Sequence, residues 1–165
     1  MSARSHSLLL QRSSFRYCPT CGTLLEDDRK FTARFCPKCQ MQIFPRIEPC
    51  IITLVSRGDE YLLVQNKAMA RTGRFSCVAG FVEQGETIEE CVMREVLEET
   101  NIRVKNIRYC GSQAWPFPDQ LMIAFKCDYE SGELKIQEEE LSDAGWFRKD
   151  NLPNNLPLPG SVAYN

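Results

Sequence analysis

The sequence predicts an α/β fold in which a mixed β-sheet is covered by helices, with a small cysteine-bound module in front of it. Two observations carry this prediction. Short β-rich runs surround one helix whose start and end are both marked, and four of the nine cysteines form two C-x-x-C pairs near the N-terminus. A chain of 165 residues is long enough for one compact domain and a small module.

Composition excludes several classes of function. A net charge of −2 gives no general attraction to nucleic acid or anionic membranes, so a polyanionic substrate needs local cations or a metal. No apolar run approaches the length of a membrane-spanning helix. Five cysteines stand singly in apolar contexts and are interpreted as small core residues in a reducing compartment: Cys50, Cys77, Cys91, Cys110 and Cys127. We therefore expect a cytoplasmic protein.

The first 16 residues have a composition of their own. They contain three Arg and five Ser without an acidic residue, which favours a flexible tail, with an organellar transit peptide as the alternative. His6 is the only histidine and has no predicted partner. Catalysis is therefore not expected to use a histidine base.

The paired cysteines predict a metal site. Their spacing, with fourteen residues between the pairs, has the form of a four-thiolate zinc ribbon over 17–42, with the ligands Cys18, Cys21, Cys36 and Cys39. A redox dithiol and two disulfides are the alternatives. Four protein ligands leave no open position, so one structural Zn²⁺ is expected. The segment between the pairs has charges of both signs, which disfavours nucleic-acid binding by the ribbon itself.

A second domain is predicted over 43–165, beginning with a proline-stiffened linker. Strands are predicted at 50–56, 61–65, 75–79, 102–113 and 121–128, with weaker signals at 134–136 and 145–147. The first two strands form a hairpin. A loop with Lys67, Arg71, Gly73 and Arg74 precedes the third, and a second helix is expected after Asp150.

The predicted helix runs from Thr87 to Thr100. Thr87 and Glu90 form a capping box, and an apolar stripe follows at helical spacing, made of Ile88, Cys91, Val92 and Val96. Asn101 is expected to end the helix in the left-handed conformation.

Three carboxylates share one face of this helix. Glu95, Glu98 and Glu99 fall at i, i+3 and i+4, where like charges repel one another. Mg²⁺ or Mn²⁺, which prefer carboxylate oxygens, would relieve that repulsion. A solvated acidic face is the alternative.

The spacing of the whole stretch 80–102 resembles the Nudix box, G-x5-E-x7-R-E-U-x-E-E-x-G-U, where U is aliphatic. Gly80, Glu86 and Arg94 occupy fixed positions, and Asn101 replaces the last glycine. The resemblance implies the Nudix α/β/α sandwich and a divalent-metal site, to which it adds the Ala79 carbonyl and a later glutamate, best matched by Glu140. A water activated by the metal is the expected nucleophile, with Glu99 or Glu140 as the base. Glu86, half a turn out of phase, is expected to orient Arg94.

A later stretch, GSQAWPFPDQ, resembles the S-Q-P-W-P-F-P-x-S array of NADH pyrophosphatases within the Nudix hydrolases, with Ala114 and Gln120 as departures. With the ribbon, the resemblance covers about nine tenths of the chain; members of the bacterial type carry a further N-terminal domain that this sequence is expected to lack. The resemblance implies a homodimer in which Phe81 and a Phe44 supplied by the partner subunit sandwich a base. It also implies substrate contacts from Gln113, Ala114, Trp115, Pro116, Phe117, Pro118, Asp119, Gln120 and Ala163.

The expected activity is hydrolysis of NADH, and of NAD⁺ or NAD-capped RNA, to nicotinamide mononucleotide and AMP or 5′-monophosphate RNA. The expected cofactors are catalytic Mg²⁺ or Mn²⁺ and one structural Zn²⁺. A Nudix pyrophosphatase for FAD, ADP-ribose or another nucleoside diphosphate is the first alternative. A zinc-ribbon binding module without enzymatic activity is the second.

Overall fold

The computed structural model describes residues 2–67 and 72–164, which fall into two compact units. The ribbon unit comprises residues 2–48 and 114–121, and the sheet unit comprises the described residues of 49–113 and 122–164. Residues 43–48 and 114–121, assigned above to the second domain, thus group with the ribbon. Within that unit, the Glu48 N–H donates to the Asp119 carbonyl at 2.9 Å. Arg71 of the predicted loop lies outside the described residues.

The ribbon unit has one helix and three short strands: α1 Ala3–Ser14, β1 Glu26–Asp27, β2 Arg34–Cys36 and β3 Met41–Ile43. The strands pair antiparallel in sequence order. Where we expected a flexible tail, the structure has α1, which begins with the Ser2 hydroxyl accepting the Ser5 N–H. No residue of α1 is buried, and Arg12 makes an ion pair with Asp27 at 3.4 Å.

The sheet unit is built on six strands and one helix: β4 Glu48–Arg57, β5 Glu60–Asn66, β6 Val78–Phe81, α2 Ile88–Thr100, β7 Arg103–Trp115, β8 Gln120–Ser131 and β9 Leu141–Arg148. The strand order is β7-β8-β4-β5-β9, and β6 pairs with β4. The predicted α/β class with a mixed sheet is confirmed. Antiparallel pairing of β4 with β5 confirms the predicted hairpin.

Helix α2 has the predicted boundaries. The Thr87 hydroxyl accepts the Glu90 N–H and the Glu90 carboxylate accepts the Thr87 N–H, which completes the capping box. Asn101 follows the helix with a φ of 59°, in the left-handed region. The apolar face of α2 packs on the main core, whose fully buried members include Ile51, Val55, Leu62, Val92 and Val96.

Two predicted elements are wrong. Residues 151–164 form bends and turns and no helix, since Pro153, Pro157 and Pro159 remove backbone donors and restrict the preceding residues. Residues 134–136 form no strand, although Leu134 and Ile136 pack against the core. Neither α1 nor α2, the helices of the described residues, has the length and apolar composition needed to cross a membrane.

Candidate active site and metal centres

Four cysteines of the ribbon unit converge on one point. The Sγ atoms of Cys18, Cys21, Cys36 and Cys39 all lie within 4.8 Å of one another. The distance from Cys21 Sγ to Cys36 Sγ is 3.6 Å, and that from Cys18 Sγ to Cys39 Sγ is 4.0 Å. Sulfurs bound tetrahedrally at the usual Zn–S distance are separated by about 3.8 Å. The arrangement therefore suits a tetrahedral four-thiolate site.

The backbone of the two cysteine turns explains this convergence. The Gly22 N–H donates to the Cys18 carbonyl, and the Gln40 N–H donates to the Cys36 carbonyl, both at 2.9 Å. Gly22 and Gln40, which follow the second cysteine of each pair, both have positive φ, at 71° and 58°. Each turn is thereby closed in the same way, so that both pairs direct their sulfurs inward.

In the sheet unit, Arg94 gathers several of the predicted site carboxylates. Its Nη2 lies 2.6 Å from Glu86 Oε1, as expected for an orienting pair, and the arginine holds the pKa of Glu86 down to about 2. The same guanidinium contacts Glu95 at 2.9 Å and Glu98 at 3.1 Å. Arg94 thus neutralises part of the acidic face of α2.

Glu99 is placed differently from the other two helix carboxylates. Glu99 is 3% exposed. Within residues 2–67 and 72–164, its carboxyl group makes no hydrogen bond and no ion pair. Burial raises the pKa of Glu99 to about 8, with further contributions from the charges of Glu95, Glu140 and Glu98. Glu99 can therefore hold or release a proton near neutral pH.

The structure brings Glu140 to this acidic cluster. Of the three consecutive glutamates 138–140, Glu140 is the one whose charge raises the pKa values of both Glu95 and Glu99. The choice of Glu140 among the three as the metal-binding glutamate stays a prediction. Ala79 and Gly80 lie opposite Ile52 and Ile51 in the pairing of β6 with β4, and Gly80 directly faces the Glu95 carboxyl group.

The predicted oxygen donors are of the type that a hard divalent cation binds, but in the part of the chain that the structure describes the four cysteines are the only group of three or more His, Cys, Asp or Glu residues whose ligand atoms all lie within 4.8 Å of one another. Carboxylate oxygens of Glu95, Glu98, Glu99 and Glu140 with the Ala79 carbonyl supply the ligand type that Mg²⁺ and Mn²⁺ prefer. Burial raises the pKa of Glu95 as well as that of Glu99. It is therefore unfavourable for both carboxyl groups to be ionised at the same time. A bound cation would remove that penalty.

The predicted substrate residues fall in both units. In the ribbon unit, Phe44 lines a cavity of about 600 Å³ together with Ala114, Pro116, Asp119 and Gln120. Beside them, the rings of Trp115 and Phe117 lie 5.5 Å apart, edge to face, and the Phe117–Pro118 peptide bond is cis. The ring of His6, for which no partner was predicted, contacts the Phe117 ring in a tilted arrangement, with the ring centroids 5.5 Å apart.

In the sheet unit, Gln113 holds the turn before Ala163. Its Oε1 accepts the Val162 N–H at 2.8 Å and its Nε2 donates to the Gly160 carbonyl at 3.2 Å. Ala163 lines a cavity of about 360 Å³, and Lys126 is the charged residue among the described residues that line it. Phe81, at the end of β6, is 49% exposed.

Sequence reasoning missed the contacts of Lys67 and the position of Lys126. Lys67 appeared only as part of a basic loop, yet its N–H and its Nζ both bind the segment that carries Glu140. No local pattern connects these positions. Side chains alternate between the two faces of a strand, and Phe125 and Cys127 of β8 belong to the core. The alternation could therefore have placed Lys126 on the face of the sheet away from these two residues.

Comparisons with known proteins relate the chain to one family. A family model described as the NUDIX domain matches residues 45–163. The "NAD-capped RNA hydrolase NudC" of Yersinia enterocolitica (strain NCTC 13174 / 8081) is 51% identical over 150 residues, which cover 91% of this chain and 57% of the relative. The protein of the same name from Yersinia pestis (strain Pestoides F) has the same identity and coverage. The chain thus spans little more than half the length of these relatives.

Solved structures share the fold. A NUDIX hydrolase from Nitrosomonas europaea superposes with a TM-score of 0.74 at 24% identity, covering 88% of this chain and 85% of that one. A MutT NUDIX hydrolase from Burkholderia pseudomallei gives a TM-score of 0.57 at 23% identity, covering 68% and 91%. At these identities the likeness concerns the fold alone.

Proposed function

The chain belongs to the Nudix family, and from this premise we propose that it hydrolyses the diphosphate linkage of NADH, and of NAD⁺ or NAD-capped RNA. The products would be nicotinamide mononucleotide and AMP, or 5′-monophosphate RNA. The observation that carries the proposal is the face of α2 that bears Glu95, Glu98 and Glu99, with the Glu95 carboxyl group packed against Gly80 of β6. The activity named for the Yersinia relatives supports the choice of substrate.

Glu95, Glu98, Glu99, Glu140 and the Ala79 carbonyl would hold Mg²⁺ or Mn²⁺. When bound, the cation would neutralise charge on the diphosphate and lower the pKa of an attacking water. Glu99, or Glu140, would be the base that accepts a proton from that water. Glu86 keeps Arg94 fixed against Glu95 and Glu98, which maintains their positions before the cation arrives.

The ribbon is proposed to hold one Zn²⁺ that has a structural role. Four thiolates leave no ligand position for substrate. The ribbon core consists of Cys18, Leu25 and Cys36 with a few partly buried neighbours, so the ion would supply stability that this small core lacks. All nine cysteines are free, which fits a reducing compartment such as the cytoplasm.

Recognition of the dinucleotide is proposed to use exposed aromatic rings. Phe44 is 56% exposed and Phe81 is 49% exposed, and both are available for stacking on a base. By family resemblance, Phe44 would serve the site of a partner subunit in a homodimer. The loop 113–120 and Ala163 would complete the contacts with the substrate.

One observation favours a second substrate class. Ala114 and Gln120 depart from the array that marks NADH pyrophosphatases, and both line the cavity around Phe44. A Nudix pyrophosphatase for FAD or ADP-ribose is therefore the alternative.

The test compares NADH, NAD⁺, NAD-capped RNA, ADP-ribose and FAD at matched concentration with Mg²⁺ or Mn²⁺, with identification of the products. We expect the NAD compounds to be cleaved fastest. Rapid cleavage of FAD with negligible cleavage of NADH would favour the alternative. Binding without cleavage of any substrate would instead support a module without enzymatic activity.

A further inference from the structure

We propose that Lys67 is a positioning residue that fixes Glu140 in the acidic cluster. The inference rests on the proposed function, since it concerns the segment that would supply a metal ligand. Lys67 lies one residue beyond the end of β5 and is exposed. Its main chain and its side chain both bind the segment 137–140, which has no regular secondary structure.

Two bonds from Lys67 hold alternate carbonyls of this segment. The Lys67 N–H donates to the Glu140 carbonyl at 2.8 Å. The Lys67 ammonium group donates to the Glu138 carbonyl. Because the two bonds engage the first and third of three consecutive glutamates, they fix which of the three side chains enters the cluster.

The opposite side of the segment is anchored on α2. The Gln137 N–H donates to the Glu99 carbonyl at 3.0 Å, and the Leu141 N–H closes a turn on the Gln137 carbonyl at 2.9 Å. The pairing of β5 with β9 is irregular at this point, with a register shift between Gln65 and Asn66. Strand pairing alone therefore does not determine the position of Glu140.

Of the two bonds from Lys67 to the segment 137–140, a substitution can remove only the one made by the side chain. Lys67→Met keeps the unbranched shape and most of the length of the side chain, and it keeps the main-chain bond, but it deletes the donor to Glu138. Residues that orient metal ligands typically change metal affinity or activity by about 10- to 100-fold. Because Lys67 acts on the backbone of the ligand segment, we expect the lower end of that range, about tenfold weaker Mn²⁺ binding.

The chain offers a matched control at the other end of the same strand pair. The Lys149 Nζ donates to the Gly58 carbonyl at 2.8 Å, and the Lys149 N–H donates to the Asp59 carbonyl at 2.9 Å. Lys149→Met therefore removes the same kind of lysine-to-carbonyl bond next to the β4–β5 hairpin, far along β5 from Glu140.

The experiment measures the affinity of zinc-loaded protein for Mn²⁺ by calorimetry, and NADH turnover in parallel. The variants are Lys67→Met, Lys67→Arg, Glu140→Gln, the Lys67→Met/Glu140→Gln double variant, and Lys149→Met. We expect Lys67→Met to weaken Mn²⁺ binding, Lys67→Arg to restore it, and Lys149→Met to match the wild type. Since Lys67 acts through Glu140, Lys67→Met should have no further effect in the Glu140→Gln background.

Wild-type Mn²⁺ affinity in Lys67→Met, or full additivity with Glu140→Gln, would overturn the inference. Faster amide exchange at Gln137 and Leu141 in Lys67→Met than in Lys149→Met would show that the hydrogen bonds of the segment 137–140 open more often without the Lys67 side chain. A wild-type protein that binds Mn²⁺ but cleaves no dinucleotide would contradict the proposed function while the Mn²⁺ affinities still decide the role of Lys67.

Discussion

Gly80 leaves the space that the Glu95 carboxyl group occupies. A Cβ atom on Gly80 would lie 1.9 Å from Glu95 Cδ and within 2.3 Å of both carboxylate oxygens. No side chain fits there unless Glu95 moves. Glycine is therefore required at position 80, because the Glu95 carboxyl group of α2 occupies the space that a side chain would need.

The first prediction follows from this contact. Gly80→Ala should displace Glu95 and lower NADH turnover by about 100-fold, since displacements near 1 Å at a reacting centre have effects of that size. Gly58→Asn is the control, because a Cβ on Gly58 meets nothing within 4 Å and Asn tolerates its positive φ of 61°. Wild-type turnover in Gly80→Ala, measured beside this control, would contradict the structural assignment.

The second prediction concerns pH. The pKa of Glu99 is raised from 4.5 to about 8 in the folded protein, so its stabilising contribution is present below pH 4.5 and lost as the pH rises through about 8. In buffer without Mg²⁺ or Mn²⁺, Glu99→Gln should gain stability relative to wild type between pH 5 and pH 9, by on the order of 2 to 4 kcal/mol. Urea unfolding of both proteins at the two pH values measures this difference. An equal difference at both values would refute the raised pKa of the buried Glu99 carboxyl group.

The third prediction concerns the ribbon. Purified protein should contain one Zn²⁺ per chain, and Cys36→Ser should lose it because the fully buried Cys36 thiol is one of four ligands. Cys110→Ser should keep the metal, because Cys110 lies outside the cluster and is exposed, not in the core as the sequence predicted. Metal analysis with thermal unfolding tests both, and a zinc-free wild type that is fully folded would exclude the site.

The fourth prediction concerns Asn101, where the family pattern has glycine. Asn101→Ala should lower the free energy of unfolding by about 1 to 2 kcal/mol, because alanine is disfavoured at a φ of 59°. Asn101→Gly should lower the free energy of unfolding by less, since glycine adopts this φ and the variant loses only the hydrogen bond from Asn101 Nδ2 to the Glu133 carbonyl. Denaturant unfolding ranks the variants, and equal stability of the two would show that backbone strain is not decisive here.

Local signals account for what the sequence predicted well. The Thr87–Glu90 box and Asn101 set the ends of α2 through contacts within a few residues, and periodicity then places Glu95, Glu98 and Glu99 on one face. The cysteine spacing similarly reflects two short turns, each closed by its own hydrogen bond.

Features that depend on distant contacts were not predictable. The ribbon unit recruits residues 114–121 through Asp119, which binds both Arg46 and the Glu48 N–H. The family pattern selects Glu140, but the contacts that hold its segment, from Lys67 and to the Glu99 carbonyl, join residues far apart in the sequence. The segment 3–14 has the composition of a tail, yet it forms α1, with Arg12 paired to Asp27.

The central claim is that the glutamate cluster performs metal-dependent diphosphate hydrolysis, and single-turnover cleavage of NADH by wild type and Glu99→Gln tests it most directly. With Mg²⁺ or Mn²⁺, the wild type should release nicotinamide mononucleotide and AMP. Glu99→Gln should be slower by about 10²- to 10⁴-fold, the range for loss of a general base. Equal rates for the two proteins, or wild-type cleavage that continues without a divalent cation, would contradict the claim.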